Sequence, residues 1–171
     1  MVSVRILILS ALGALASAQI DGTPGLEFLY TVNATLGERW SYGDFGQGTR
    51  VAIPIVGGTF EGPKLRGTVL NLGADWGITD TTGVFSPDTR YSLRTHDGAD
   101  IYIQTSGPTQ ADGRTLLRAI YQTGHPDYLW LNYAVVNGVL QRPTGDSAGK
   151  YVVIDMWQFT LPTAKTTARE A

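Results

Sequence analysis

The sequence predicts an all-β, single-domain antiparallel β-barrel of about eight to ten strands, a meander placed behind a signal peptide. Three observations predict it. After Gln19 the apolar residues keep no helical spacing over any long window, whereas β-branched and aromatic residues gather in short runs divided by Gly, Pro and Asp. The dipeptides Asp97-Gly98, Asp112-Gly113 and Asn137-Gly138 lie between such runs, and Asp-Gly or Asn-Gly marks a tight hairpin because the central positions of such turns favour positive φ. About eight antiparallel strands in one domain must also close or stack to hide their edges, and the 21 glycines suit the bulges and corners of a barrel.

The first element is a leader. A positive residue, Arg5, precedes the apolar run Ile6 to Ala16, and Ala16-Ser17-Ala18 places small residues at alternate positions before Gln19, the order that signal peptidase reads. The apolar run is shorter than the roughly 20 residues that span a bilayer. Residues 1–18 are therefore expected to be removed and the mature chain secreted or held in the secretory lumen, with no membrane attachment. Cleavage leaves 153 of the 171 residues, enough for one domain, with 12 basic and 15 acidic side chains once Arg5 is gone, a net charge of −3. Neither a basic stripe for nucleic acid nor any cysteine is present, which excludes thiolate zinc sites, cysteine nucleophiles and disulfide staples.

The strands follow in order. Leu26 to Leu36 opens the barrel and carries the sequon Asn33-Ala34-Thr35, a candidate glycosylation site in a secreted chain. Thr49 to Val56 and Gly67 to Leu72 come next, with Gly57-Gly58 and Glu61-Gly62-Pro63 as bends between them. Arg90 to Thr95 and Asp100 to Thr105 flank Asp97-Gly98, and Thr115 to Thr123 follows Asp112-Gly113. Tyr128 to Val136 and Lys150 to Leu161 complete the set. The domain is thus expected over residues 19–161, with a flexible, Thr- and Ala-rich tail over 162–171.

Alternation along strands separates two faces. Tyr128, Trp130 and Asn132 oppose Leu129, Leu131 and Tyr133; Tyr102 and Gln104 oppose Ile101, Ile103 and Thr105; Tyr151, Val153, Asp155 and Trp157 oppose Val152, Ile154 and Met156. The aromatic and polar set could line a ligand cavity or form the solvated outside of the barrel. Asp75, after Gly73-Ala74 and beside Trp76, could be a desolvated carboxylate fit for proton transfer or the cap of a turn. His96 and His125 show no metal-ligand spacing, and no nucleotide, phosphate-loop or serine-hydrolase motif occurs. No metal or cofactor is expected.

The ordered elements Gly48-Thr-Arg50, Gly57-Gly58-Thr59-Phe60-Glu61-Gly62-Pro63, Gly67, Gly73-Ala74-Asp75-Trp76, Tyr91, Asp97-Gly98-Ala99 and Tyr128-Leu-Trp130-Leu131-Asn132 resemble the family catalogued as domain of unknown function 3237. The resemblance runs from about Leu26 to Phe159 and implies a compact antiparallel barrel found in bacteria and in fungi, where secreted or cluster-encoded members accompany secondary-metabolite enzymes. It implies site roles for Arg50, Asp75, Trp76, Trp130 and Asn132. The combined expectation is a barrel that binds an aromatic or polyketide-like molecule and performs cofactor-free isomerisation, dehydration or cyclisation. Asp75, Arg50 and Asn132 would be catalytic, and Trp76, Tyr102, Tyr128 and Trp130 would hold the ring. A non-enzymatic carrier, or a carbohydrate-binding protein with exposed tryptophans, is the alternative. Barrel ends and strand edges offer surfaces for a homodimer.

Overall fold

The computed structural model describes residues 22–162, so the expected leader over 1–18 and the tail beyond Pro162 lie outside the described residues. Eleven strands form one antiparallel sheet: β1 (Gly25–Leu36), β2 (Trp40–Asp44), β3 (Gly48–Glu61), β4 (Arg66–Asp75), β5 (Ile78–Asp80), β6 (Phe85–Ser86), β7 (Asp88–Thr95), β8 (Asp100–Ser106), β9 (Thr115–Gln122), β10 (Val136–Gln141) and β11 (Tyr151–Thr160). Eight of them run in the order β1-β11-β10-β9-β8-β7-β4-β3, and pairing of β3 with β1 closes the barrel. The short strands β2 and β5 add to the first half of β3, and β6 adds to β5. No helix of the described residues is long and apolar enough to cross a membrane.

Alternation decides which residues fill the lumen. On β9 the burial pattern is strictly two-fold, with Thr115, Leu117, Ala119 and Tyr121 inside and Leu116, Arg118, Ile120 and Gln122 outside. The same rule turns Leu93 of β7, Ile101 and Ile103 of β8, and Ile154 and Met156 of β11 inward. A bulge between Phe28 and Tyr30 changes the phase of β1, so that Leu29 and Tyr30 are both buried. At one end the 3-10 segment Pro126–Tyr133 closes the barrel, with Tyr128 and Leu131 joining the core. The other end, where β1, β4 and β10 finish and β7 and β11 begin, stays open.

Three local expectations are corrected. Tyr128 to Val136 is not a strand through most of its length, because Pro126 lacks the N–H a ladder needs and its fixed φ instead starts the 3-10 turn. Asn137-Gly138 is not a hairpin turn but the interior of β10, where a Cβ on Gly138 would stand 2.8 Å from Met156 Sδ. Glycine is there for space. Gly57-Gly58 likewise does not separate strands. It lies inside β3 at a register shift, where Gly58 has φ +133° and a Cβ would collide with the Asn33 carbonyl oxygen, so the wall can bend against β1.

Asp97-Gly98 and Asp112-Gly113 are hairpin turns, in a form that needs positive φ at one position only. Gly98 N–H donates to the Thr95 carbonyl while Thr95 N–H donates to Ala99, and Gln110, Gly113 and Arg114 repeat the pattern. Among the described residues only glycines have positive φ. These are three-residue turns ending in a left-handed glycine bulge, a connection that matches strand twist as two-residue turns do.

Candidate functional site

The open end of the lumen is hollow. An inner cavity of about 60 Å³ widens into a vestibule of about 660 Å³, and Leu36, Ile53, Phe85, Arg142 and Val152 border both spaces. Hydrocarbon from Ala34, Ile55, Leu140 and Ile154 supplies most of the inner wall. The polar side chains on it are Asp75 at the end of β4, Thr89 and Tyr91 on β7, and Arg142 just after β10.

Asp75 reaches the lumen because β4 keeps its inward phase up to its last residue, where Asp75 pairs with Thr89 of β7 and Ile53 of β3. The side chain is 8% exposed. Its Oδ1 accepts the Asp88 N–H at 2.9 Å, and among the described residues the carboxylate makes no ion pair. Burial pushes its pKa from the ordinary 3.8 to about 6; the Asp88 N–H and the positive field of Arg142 oppose that rise without cancelling it.

Arg142 is held rather than free. Its Nη1 donates to Thr115 Oγ1 at 3.0 Å, and its guanidinium lies over the Phe85 ring with 5.3 Å to the centroid. Arg142 remains exposed at the mouth, where partial desolvation weakens its hold on its proton and Asp75 partly restores it. Phe85 can sit at this edge because Gly77 opposes it: a Cβ there would collide with the far end of the Phe85 ring. The result is one carboxyl group and one guanidinium sharing an apolar chamber without touching.

Of the residues given catalytic or ring-binding roles in the sequence, Asp75 borders this chamber and Arg50, Trp76, Tyr102, Tyr128, Trp130 and Asn132 do not. Arg50 lies on β3 beside β2 and β5, donating from Nη1 to the Trp76 carbonyl at 2.8 Å and stacking on Phe45. Trp76 turns outward under Arg90. Tyr102 stands on the outer face of β8, because Ile101, Ile103 and Thr105 take the inner one. Tyr128, Trp130 and Asn132 are at the closed end. There Tyr128 donates to Asp97 Oδ2 at 2.9 Å, Lys64 lies over Trp130, and the Asn132 amide both accepts the Thr123 N–H at 2.8 Å and donates to the Thr123 carbonyl at 2.9 Å. The expected grouping of these side chains around Asp75 is thereby corrected: on β8 the hydrocarbon face fills the lumen, and Tyr128, Trp130 and Asn132 belong to the 3-10 segment at the other end. Of the four tryptophans, Trp40 is exposed on β2, Trp76 lies under Arg90, Trp130 lies under Lys64, and Trp157 packs edge-on against Phe28. Asn33 is exposed on the outer face of β1.

Arg142, Thr89 and Phe85 are cavity residues that sequence reasoning missed, and Tyr91, one of the elements of the family resemblance, was given no site role there. Arg142 had a usable signal: it continues the alternation Val136, Gly138, Leu140, all buried, once Asn137-Gly138 is placed within a strand. Among the described residues no three His, Cys, Asp or Glu side chains converge as a metal site would require.

Relatives are recognisable across most of the barrel. A UPF0311 protein of Rhodopseudomonas palustris is 33% identical over 155 residues, covering 80% of this chain and 98% of the relative. The crystal structure of a β-barrel-like protein from Acinetobacter baumannii superposes with a TM-score of 0.75 at 35% identity, covering 81% of this chain and 98% of that one. A protein of Penicillium herquei named hydroalkoxylation enzyme phnH is 25% identical over 150 residues, 88% of this chain and 93% of its own. Residues 24–119 match the family described as Protein of unknown function (DUF3237), and the chain belongs to that family.

Proposed function

We propose that the barrel binds a small aromatic or polyketide-like molecule at its open end and catalyses a cofactor-free, acid-initiated addition or cyclisation, with Asp75 as the proton donor. The observation that carries this reading is a carboxyl group buried in the wall of an apolar chamber, with a pKa of about 6 and no ion-pair partner among the described residues. Such a group is half protonated at about pH 6, where a solvated carboxyl group has given up nearly all of its protons, and it can release that proton to carbon.

Hydroalkoxylation, the reaction in the name of the Penicillium relative, adds an alcohol O–H across a carbon–carbon double bond. In this chamber the protonated Asp75 gives its proton to one alkene carbon while a hydroxyl oxygen of the same molecule bonds to the other. The hydroxyl proton then returns to the Asp75 carboxylate. One C–H and one C–O bond form, one C=C π bond and one O–H bond are lost, and the carboxyl group is regenerated. Arg142 stabilises the carboxylate that exists between the two proton transfers, and the hydrocarbon wall keeps water from taking the hydroxyl's place.

The test is incubation of the purified protein with ortho-alkenylphenols, followed by chiral chromatography of the cyclic ethers. Turnover with one enantiomer in excess, lost in Asp75→Asn, is the expected result. Equal turnover in Asp75→Asn would remove Asp75 from the chemistry, and binding without conversion would make the barrel a carrier.

A further inference from the structure

The hydroxyl groups inside the barrel are committed in pairs. Tyr30 and Tyr121 share a hydrogen bond at 2.7 Å, and Thr89 and Thr105 share another at 2.7 Å. Tyr91 is the one left over: 2% exposed, it borders the inner cavity, and its hydroxyl has no hydrogen-bond partner among the described residues. Its position follows from register. Asp75 pairs with Thr89 and Gly73 pairs with Tyr91, so Tyr91 lies two residues, roughly 7 Å, further down the inner face of β7 than the level of Asp75. Gly73 makes room for it, since a Cβ there would stand 2.7 Å from the Tyr91 Cβ.

A buried polar group without a partner is unfavourable, and native interiors contain few of them. A tyrosine that served packing alone could be phenylalanine at no loss, as Phe60 is in the same core. We infer that the Tyr91 hydroxyl reads a hydrogen-bonding oxygen on the leading edge of the bound molecule, so that the ligand is an oxygenated ring inserted oxygen-first. This rests on the chamber being the ligand site. The inner cavity, about 60 Å³, takes the edge of a ring, and the vestibule holds the remainder. The reacting double bond then lies at the level of Asp75, one layer nearer the mouth, and Tyr91 sets which end of the molecule reaches it. Burial raises the Tyr91 pKa above its ordinary value, so the phenol stays neutral and keeps its proton to donate.

The experiment compares 1-naphthol with 1-methylnaphthalene, which share a shape and differ in the oxygen, by calorimetric titration of the wild type, Tyr91→Phe and Asp75→Asn. In Tyr91→Phe the affinity for 1-naphthol is expected to fall about fivefold or more, while 1-methylnaphthalene binds as well as before or better. In Asp75→Asn the preference for 1-naphthol should survive. Binding of both probes with an unchanged ratio in Tyr91→Phe overturns this inference alone. A preference lost in Asp75→Asn but kept in Tyr91→Phe assigns the oxygen to Asp75 and overturns it as well. If neither probe binds the wild type, the ligand-site reading falls with it. Tyr91→Phe breaks no hydrogen bond to the described protein and should melt no lower than the wild type; a large fall in Tm would show that the hydroxyl is already satisfied and would overturn the inference.

Discussion

Replacing Asp75 by Asn converts the proposed proton donor into a group that never ionises, and its effect on folding can be worked out before any substrate is known. The wild-type carboxyl titrates at 3.8 when exposed and at about 6 in the folded barrel. Between those values the folded state holds more protons than the unfolded one, so stability falls as pH rises. The contribution of Asp75 is fully present below pH 3.8, is lost as pH rises through about 6, and is constant above that. The difference of roughly two units corresponds to about 3 kcal/mol. The substituted asparagine can keep accepting the Asp88 N–H through its own Oδ1, while its amide adds donors to an apolar wall, a penalty of about 1–3 kcal/mol that does not vary with pH. The quantity to measure is therefore the wild-type minus variant stability across a pH series, from urea unfolding followed by tryptophan fluorescence. Most other titrating groups cancel in that difference. It should move by about 3 kcal/mol in favour of the variant between acid and neutral pH. A difference flat to within about 0.5 kcal/mol would mean that Asp75 is hydrated in the folded state, and the acid chemistry built on its burial would fall.

Two further outcomes separate the open end from the closed end. Arg142→Met removes the positive field that restrains Asp75, so the pH above which turnover is lost should move higher; no movement, or movement downward, in the pH–rate profile would show that the two groups are uncoupled. Tyr128→Phe removes the hydrogen bond to Asp97 at the closed end and should lower stability by about 1 kcal/mol in urea unfolding. Naphthol affinity should be unchanged, and a clear loss of affinity would bring the closed end into the site.

The barrel itself was legible because hairpins are local. Each run of β-branched and aromatic residues and each Asp-Gly turn carries its own signal, and closure follows once eight antiparallel neighbours must cover their edges. The failures share a cause: a dipeptide or a period says what a residue can do, while a tertiary neighbour decides what it does. Asn-Gly at 137–138 reads as a turn, yet the glycine is needed because Met156 and Ile154 crowd the wall behind it. Tyr128 to Tyr133 alternates as a strand would, yet Pro126 turns it into the stopper of the barrel. The strands β2, β5 and β6 were missed because they are 5, 3 and 2 residues long, too short for any period to show.

The site was half legible for a deeper reason. Alternation sorts a strand into two faces but does not say which one faces the lumen, and a register slip of one residue exchanges them. The aromatic face was a reasonable choice for a pocket, but a barrel of eight strands has an interior that side chains nearly fill. The hydrocarbon face therefore wins that space: Ile101, Ile103, Ile154 and Met156 go in, and Tyr102 and Trp157 stay out. That inversion strengthens the case for Asp75. With the aromatic face inside, the carboxyl group would have had the Tyr102 hydroxyl and the Gln104 amide within the same lumen to solvate it. With the hydrocarbon face inside, its hydrogen-bond donor among the described residues is the single Asp88 N–H, and the cation that shares its chamber is bound to Thr115 and Phe85. The same packing rule that keeps Tyr102 and Trp157 out of the lumen is thus what leaves Asp75 dry enough to keep a proton up to about pH 6.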